Sequence, residues 1–218
     1  MSQNHQNLVV AAQEGRIEDV RKYIEDGANI EHQDDQGINA LIAATQEGHN
    51  EIVKVLLERG ANINRPNADG QTPLLLAVSL RHPIGLIRIL LDDIDIDVNP
   101  LPSEAEETPM LCAIDRAIFN GYLDKNLEIL RTLIEAGAKV NKKTLMYAIE
   151  TDKSRSAKWE ENRKHVVNMI LEEGVKASKK IIDRTNELGR TEIAEMLGQK
   201  SSSDKSSGGK TRRKTLKK

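Results

Sequence analysis

The side chains able to do chemistry are few and dispersed. Nucleophilic catalysis needs a base within hydrogen-bond reach of the nucleophile, and a metal needs several converging ligands. Cys112 is the only thiol and stands in the apolar run LCAI, at a position held elsewhere by Ala43 and Leu76. It is therefore expected to pack as a small buried hydrophobe. The five histidines, His5, His32, His49, His82 and His165, show no H-E-x-x-H spacing, and a single cysteine allows no C-x-x-C. No catalytic or metal-ligating set is expected. Asp92, Asp93, Asp95 and Asp97 alternate with Ile94, Ile96 and Val98. A calcium loop needs glycine at its sixth position and a closing glutamate, so the alternation points instead to an extended segment with one solvated face. No phosphate-cradling glycine motif occurs, and Gly208 to Lys210 has no strand pattern ahead of it. No cofactor is implied.

What would position these residues is a recurring unit, best seen from Gly37 to Asn64. Its apolar residues cluster at Leu41 to Ala44 and, after Gly48-His49, recur at Ile52, Val53, Val55, Leu56 and Leu57. That pattern is two short helices, the second stopped by Gly60. Neither can bury its apolar side alone, so the unit requires stacked copies.

Copies are present on both sides. Aligning Gly15 with Gly48 and Gly27 with Gly60 gives a 33-residue offset that brings Leu8 over Leu41 and Val20 over Val53. A third copy opens with GQTPLLLA, and there Asp93 and Ile94 replace the closing glycine. A fourth, opening with TPMLCAI after the acidic loop PLPSEAEE, is about seven residues longer than the third between Ile114 and Leu133, so the loop joining its helices, or one of the helices, is extended. A fifth opens with TLMYAI and carries the charged insertion ETDKSRSAKWEENRKH, and residues 179–197 read as a truncated sixth. The array is expected over residues 1–199, in an all-α solenoid of paired antiparallel helices with hairpin-like loops. Residues 200–218 are expected to form a disordered basic tail rich in Ser, Gly and Lys. Aromatic residues make up only 2% of the chain, so small and aliphatic side chains must do the packing.

These motifs resemble the ankyrin repeat family. The resemblance rests on TPLLLA (Thr72 to Ala77), TPM (Thr108 to Met110), Gly48-His49, IVKVLLERGANIN (Ile52 to Asn64), DDQG (Asp34 to Gly37) and NADG (Asn67 to Gly70), and extends over residues 5–197. The family's TPLH histidine is replaced by Ile42, Leu75 and Leu111. The ending Gly-Gly-Lys, Thr-Arg-Arg-Lys is similar to those on proteins of large DNA viruses, which also hold many ankyrin proteins. The resemblance implies a non-enzymatic scaffold that binds another protein through a concave face of loop tips and first helices. On matching positions that face holds Asp35, Gln36, Ile38, Gln46, Glu47, Ala68, Asp69, Gln71, Ser79, Leu80, Asp115 and Arg116, with Ile38 and Leu80 as exposed apolar anchors.

Charge refines the expectation. Net charge is -2, but residues 200–218 carry eight Lys or Arg against one Asp, leaving the body at -9. An acidic face favours a basic partner. The tail residues Lys210, Arg212, Arg213, Lys214, Lys217 and Lys218 suggest an alternative, a nucleus-directed or polyanion-tethered regulator whose tail sets location. The tail lacks aromatic residues, which argues against sequence-specific nucleic-acid reading. No run approaches the roughly 20 apolar residues of a membrane span, and the N-terminus lacks the pattern of a signal peptide. The expectation is an intracellular monomer, cytoplasmic or nuclear.

Overall fold

The computed structural model describes residues 2–100, 107–119, 122–151 and 156–203. Within them the chain forms twelve helices and no strand. One compact unit, residues 1–139, holds α1 (Ser2–Gln13), α2 (Ile17–Glu25), α3 (Ala40–Glu47), α4 (Asn50–Glu58), α5 (Pro73–Ser79), α6 (Ile84–Leu91), α7 (Pro109–Phe119) and α8 (Leu123–Glu135). A second, residues 140–218, holds α9 (Lys142–Glu150), α10 (Ala157–Glu172), α11 (Lys179–Glu187) and α12 (Thr191–Ser203).

In the first unit α3 packs on α1, α5 on α3 and α7 on α5, while α2, α4, α6 and α8 form the layer behind. Burial follows from this order. Every residue from Ala40 to Thr45 and from Pro73 to Val78 is buried, because these helices have neighbours on both sides. α4 is amphipathic, burying Ile52, Val53, Val55 and Leu56 and exposing Glu51 and Lys54. Side-chain caps set three of the starts: Asn39 accepts from the Ile42 amide, Thr72 Oγ1 from Leu75 and Thr108 Oγ1 from Leu111.

Two side-chain devices link one repeat to the next. At the helix turn, His49 Nε2 lies 3.0 Å from the Gln13 carbonyl oxygen and His82 Nε2 lies 2.9 Å from that of Gln46. Each imidazole occupies the space a side chain on Gly15 or Gly48 would need; a Cβ there would come within 2.8 or 2.9 Å of the ring. At the repeat end, Asn64 donates to the Asp95 carbonyl and accepts from the Asp97 amide, and Asn99 does the same with Gly137 and Lys139. One amide side chain thus satisfies a donor and an acceptor of the next loop.

Asn141 occupies the same place after Gly137 but caps α9 instead, accepting from Lys143 and Thr144, with the Thr144 hydroxyl oxygen accepting from the Asn141 amide. The fifth copy therefore starts three residues ahead of Thr144, the threonine that parallels Thr108 in sequence. Twelve residues separate Gly60 from the cap Thr72, but four separate Gly137 from Asn141 and four separate Gly174 from the cap Ser178. The last two helix pairs have no projecting loop before their first helices.

The extra length of the fourth copy goes into both helices, eleven residues in α7 and thirteen in α8 against seven and eight in α5 and α6. The charged insertion of the fifth copy is, from Ala157 onward, the opening of the sixteen-residue α10. Its Arg163 is fully buried, donating to the Ala148 carbonyl and pairing at 3.3 Å with Glu160, which also receives Arg190 at 3.1 Å. α12 continues to Ser203, past residue 200, where the tail is expected to begin.

Residues 92–95 form a turn rather than part of an extended segment. Asp93 Oδ1 accepts from the Asp95 amide and its carbonyl from the Ile96 amide, forming a turn that leaves Ile94 96% exposed. Aspartate favours such a turn because its short carboxylate reaches the amide two residues on.

Candidate protein-interaction surface

The loop tips are built by one acceptor each. Asp34 Oδ1 takes the amides of Gln36 and Ile38, and Asn67 Oδ1 takes those of Asp69 and Gln71. Gly37 and Gly70 supply the left-handed turns at φ 72° and 77°. The two tips are joined where the Ala68 amide donates to the Gln36 carbonyl at 2.9 Å. Asp35, Gln36, Ala68 and Asp69 are exposed on this paired edge, and Gln71 is half-buried with its amide oxygen accepting from Asn67. Ile38, expected as an exposed anchor, is half-buried because its amide is drawn back to Asp34.

A second group gathers at the ends of the first helices. Ser79, Asp115 and Arg116 line a recess of about 170 Å³ together with Cys112. Leu80, 49% exposed, stands next to Ser79, and Glu47 is exposed at the end of α3. Gln46 is half-buried, its carbonyl engaged by His82.

Arg116 has a structural task. Its guanidinium donates to the carbonyls of Val78, Arg81 and His82 and to Asn126 Oδ1, at 3.4, 3.3, 2.9 and 3.0 Å, while Asn126 returns a bond to the Arg116 carbonyl. Burial and the neighbouring Arg81 charge lower its pKa, yet an arginine stays protonated at neutral pH. In the fourth copy this strut stands at the corner that His49 and His82 hold earlier. The family resemblance assigns Arg116 to the binding face by its position alone, and position does not tell which carbonyls its guanidinium reaches.

Cys112 is half-buried rather than buried. Burial first, then the carboxylates of Glu107 and Asp115, push its thiol up to about 12, so it is protonated and a poor nucleophile at neutral pH. Among the described residues no three His, Cys, Asp or Glu side chains are grouped to hold a metal, and no helix is long and apolar enough to cross a membrane. Lys210, Arg212, Arg213, Lys214, Lys217 and Lys218 lie outside the described residues.

The sequence reading passed over the lysines of α9 and α11, Lys142, Lys143, Lys179 and Lys180, which border a cleft between those two helices. The paired KK doublets were the available signal.

Residues 8–101 match the family model described as ankyrin repeats (3 copies). No curated protein matches the chain. Over the matched residues, where the helices stack in pairs, the fold is that of ankyrin repeats, and the described residues beyond them are likewise all-helical. Ankyrin repeats are protein–protein interaction modules and are typically non-enzymatic. The match carries no indication of a viral source.

Proposed function

We propose that the chain is a non-enzymatic scaffold that captures a basic protein segment on the loop tips and first-helix ends of its first unit. The observation that carries this is the joined edge on which Asp35 and Asp69 are exposed, in a unit that also exposes Glu47 and Leu80. Exposed carboxylates steer a basic partner and set specificity, and an apolar side chain supplies a desolvated anchor. Arg116 and Gln46 support the surface from behind. The array over residues 1–199 works as a monomer inside the cell.

Affinity capture from lysate tests this when wild type is compared with the Glu47→Lys, Asp69→Lys variant, after their circular dichroism spectra are shown to match. A protein retained by wild type alone and released by raised salt supports the reading. Identical captured sets refute it.

A second reading rests on the charge of +7 in residues 200–218, which suits nuclear import or tethering to a polyanion. A fluorescent fusion that enters the nucleus only when this segment is present supports it, and one that stays cytosolic opposes it.

A further inference from the structure

We propose that the cleft between α9 and α11 binds an acidic peptide segment carrying an apolar anchor, a second partner site opposite in charge to the first unit's tips and independent of the reading above. The cleft measures about 1060 Å³. It lies where the projecting loops are absent: α9 starts right after its cap Asn141 and α11 right after Ser178, so no tip stands before either helix.

Its walls repeat one pattern. Lys142, Lys143, Met146, Tyr147 and Glu150 face the cleft from α9, and Lys179, Lys180, Asp183, Arg184 and Glu187 hold the corresponding places on α11, 37 residues on. The four lysines are exposed and make no ion pair among the described residues. They sit in the first turns of their helices, which hold no acidic residue. A cation there opposes the helix dipole, so helix stability does not explain them. α1, α3 and α5 contain no lysine or arginine, and the arginine of α7 is the strut Arg116. The basic lip is thus peculiar to the second unit's first helices.

The far end is different. Arg184 donates to Glu150 at 2.9 Å and to Glu187 at 3.0 Å, and these two carboxylates raise its pKa. Asp183, at the place on α11 that Met146 holds on α9, adds a carboxylate in the middle of the cleft that repels an extended polyanion. Between the two ends lie Met146 and Tyr147, both half-buried. Methionine adapts to varied apolar partners and tyrosine presents an amphipathic ring. A ligand complementary to all three parts has carboxylates at one end and an apolar side chain next to them. A lone phosphate fills only the lysine end, and a nucleic acid carries charge where the cleft does not want it.

The test is fluorescence anisotropy on the full chain with a labelled peptide in which a short glutamate run precedes two leucines. The comparison variant is Lys142→Glu, Lys143→Glu, Lys179→Glu, Lys180→Glu, in which the new charges favour the helix dipole, so folding is retained and circular dichroism checks it. The expected loss is about tenfold or more, together with most of the salt dependence. Met146→Ser is expected to weaken binding about threefold while keeping the salt dependence, as an apolar contact would. An oligothymidylate of equal charge is expected to bind both proteins alike, through the unchanged tail. Glu47→Lys, Asp69→Lys is expected not to lower peptide affinity, which separates this site from the first unit's. Peptide affinity unchanged by the four lysine substitutions overturns the proposal, as does a loss of oligothymidylate binding as large as that of the peptide.

Discussion

His82 Nε2 lies 2.9 Å from the carbonyl oxygen of Gln46, 36 residues earlier, with its ring filling the space left by the missing side chain of Gly48. The Gly-His pair is therefore one device split across two repeats. The glycine of one copy admits the histidine of the next, and the histidine satisfies a carbonyl that the helix end leaves without an intrahelical partner. His49, Gly15 and Gln13 repeat the arrangement.

Removing the ring should loosen that joint without altering the helices. His82→Ala is expected to cost about 1–2 kcal/mol, from one lost hydrogen bond and a small void. Urea unfolding of the full chain followed by circular dichroism reads it as a lower midpoint. An unchanged midpoint would show that the joint contributes nothing.

The loop tips predict a contrast between two glycines. Gly37 and Gly27 both have positive φ, 72° and 80°, but a Cβ on Gly37 would fall 2.5 Å from the Ala68 amide nitrogen, whereas nothing lies within 4 Å at Gly27. Gly27→Ala should cost about 1 kcal/mol from backbone conformation alone. Gly37→Ala should cost roughly twice that or more, because it also drives apart the two tips. Equal midpoints for the two variants would mean that the tips separate freely.

Cys112 predicts both reactivity and pH dependence. With its thiol pushed up to about 12, alkylation of the native chain near neutral pH should run on the order of 10²-fold or more slower than that of the urea-unfolded chain. The sign of the stability effect follows from linkage. The folded pKa lies above the unfolded value of 9.0, so the stabilisation is complete below pH 9 and is lost as pH rises from there toward about 12. Cys112→Ala should flatten that alkaline decline. Equal slopes for the two proteins would assign the decline to other groups.

The repeat was legible because its punctuation is stereochemical. Gly48, Gly60 and the polar tips at Asp34 and Asn67 mark places where few other residues fit the backbone, and they recur with the 33-residue offset. The later copies were harder to read for a physical reason. Asparagine both ends a repeat and caps a helix well, so Asn141 serves where Asn99 and Thr108 share the work, and a search for the next threonine settles on Thr144. Arg163 was hidden for the opposite reason: in a charged stretch an arginine reads as solvated, and only the meeting of Glu160, Arg190 and the Ala148 carbonyl explains its burial. The outward residues were legible by type but not by task. Asp35 and Asp69 face solvent as expected, while half-buried Arg116 is engaged by the Val78, Arg81 and His82 carbonyls, because a sequence position does not tell which carbonyls lie within reach of a guanidinium.

The most direct test of the scaffold account is amide hydrogen exchange of the full chain with and without the partner captured by wild type. The account predicts slowed exchange over residues 34–38 and 67–71 and around Leu80, disappearing with Glu47→Lys, Asp69→Lys. Exchange unchanged across those residues while the partner is bound would contradict it.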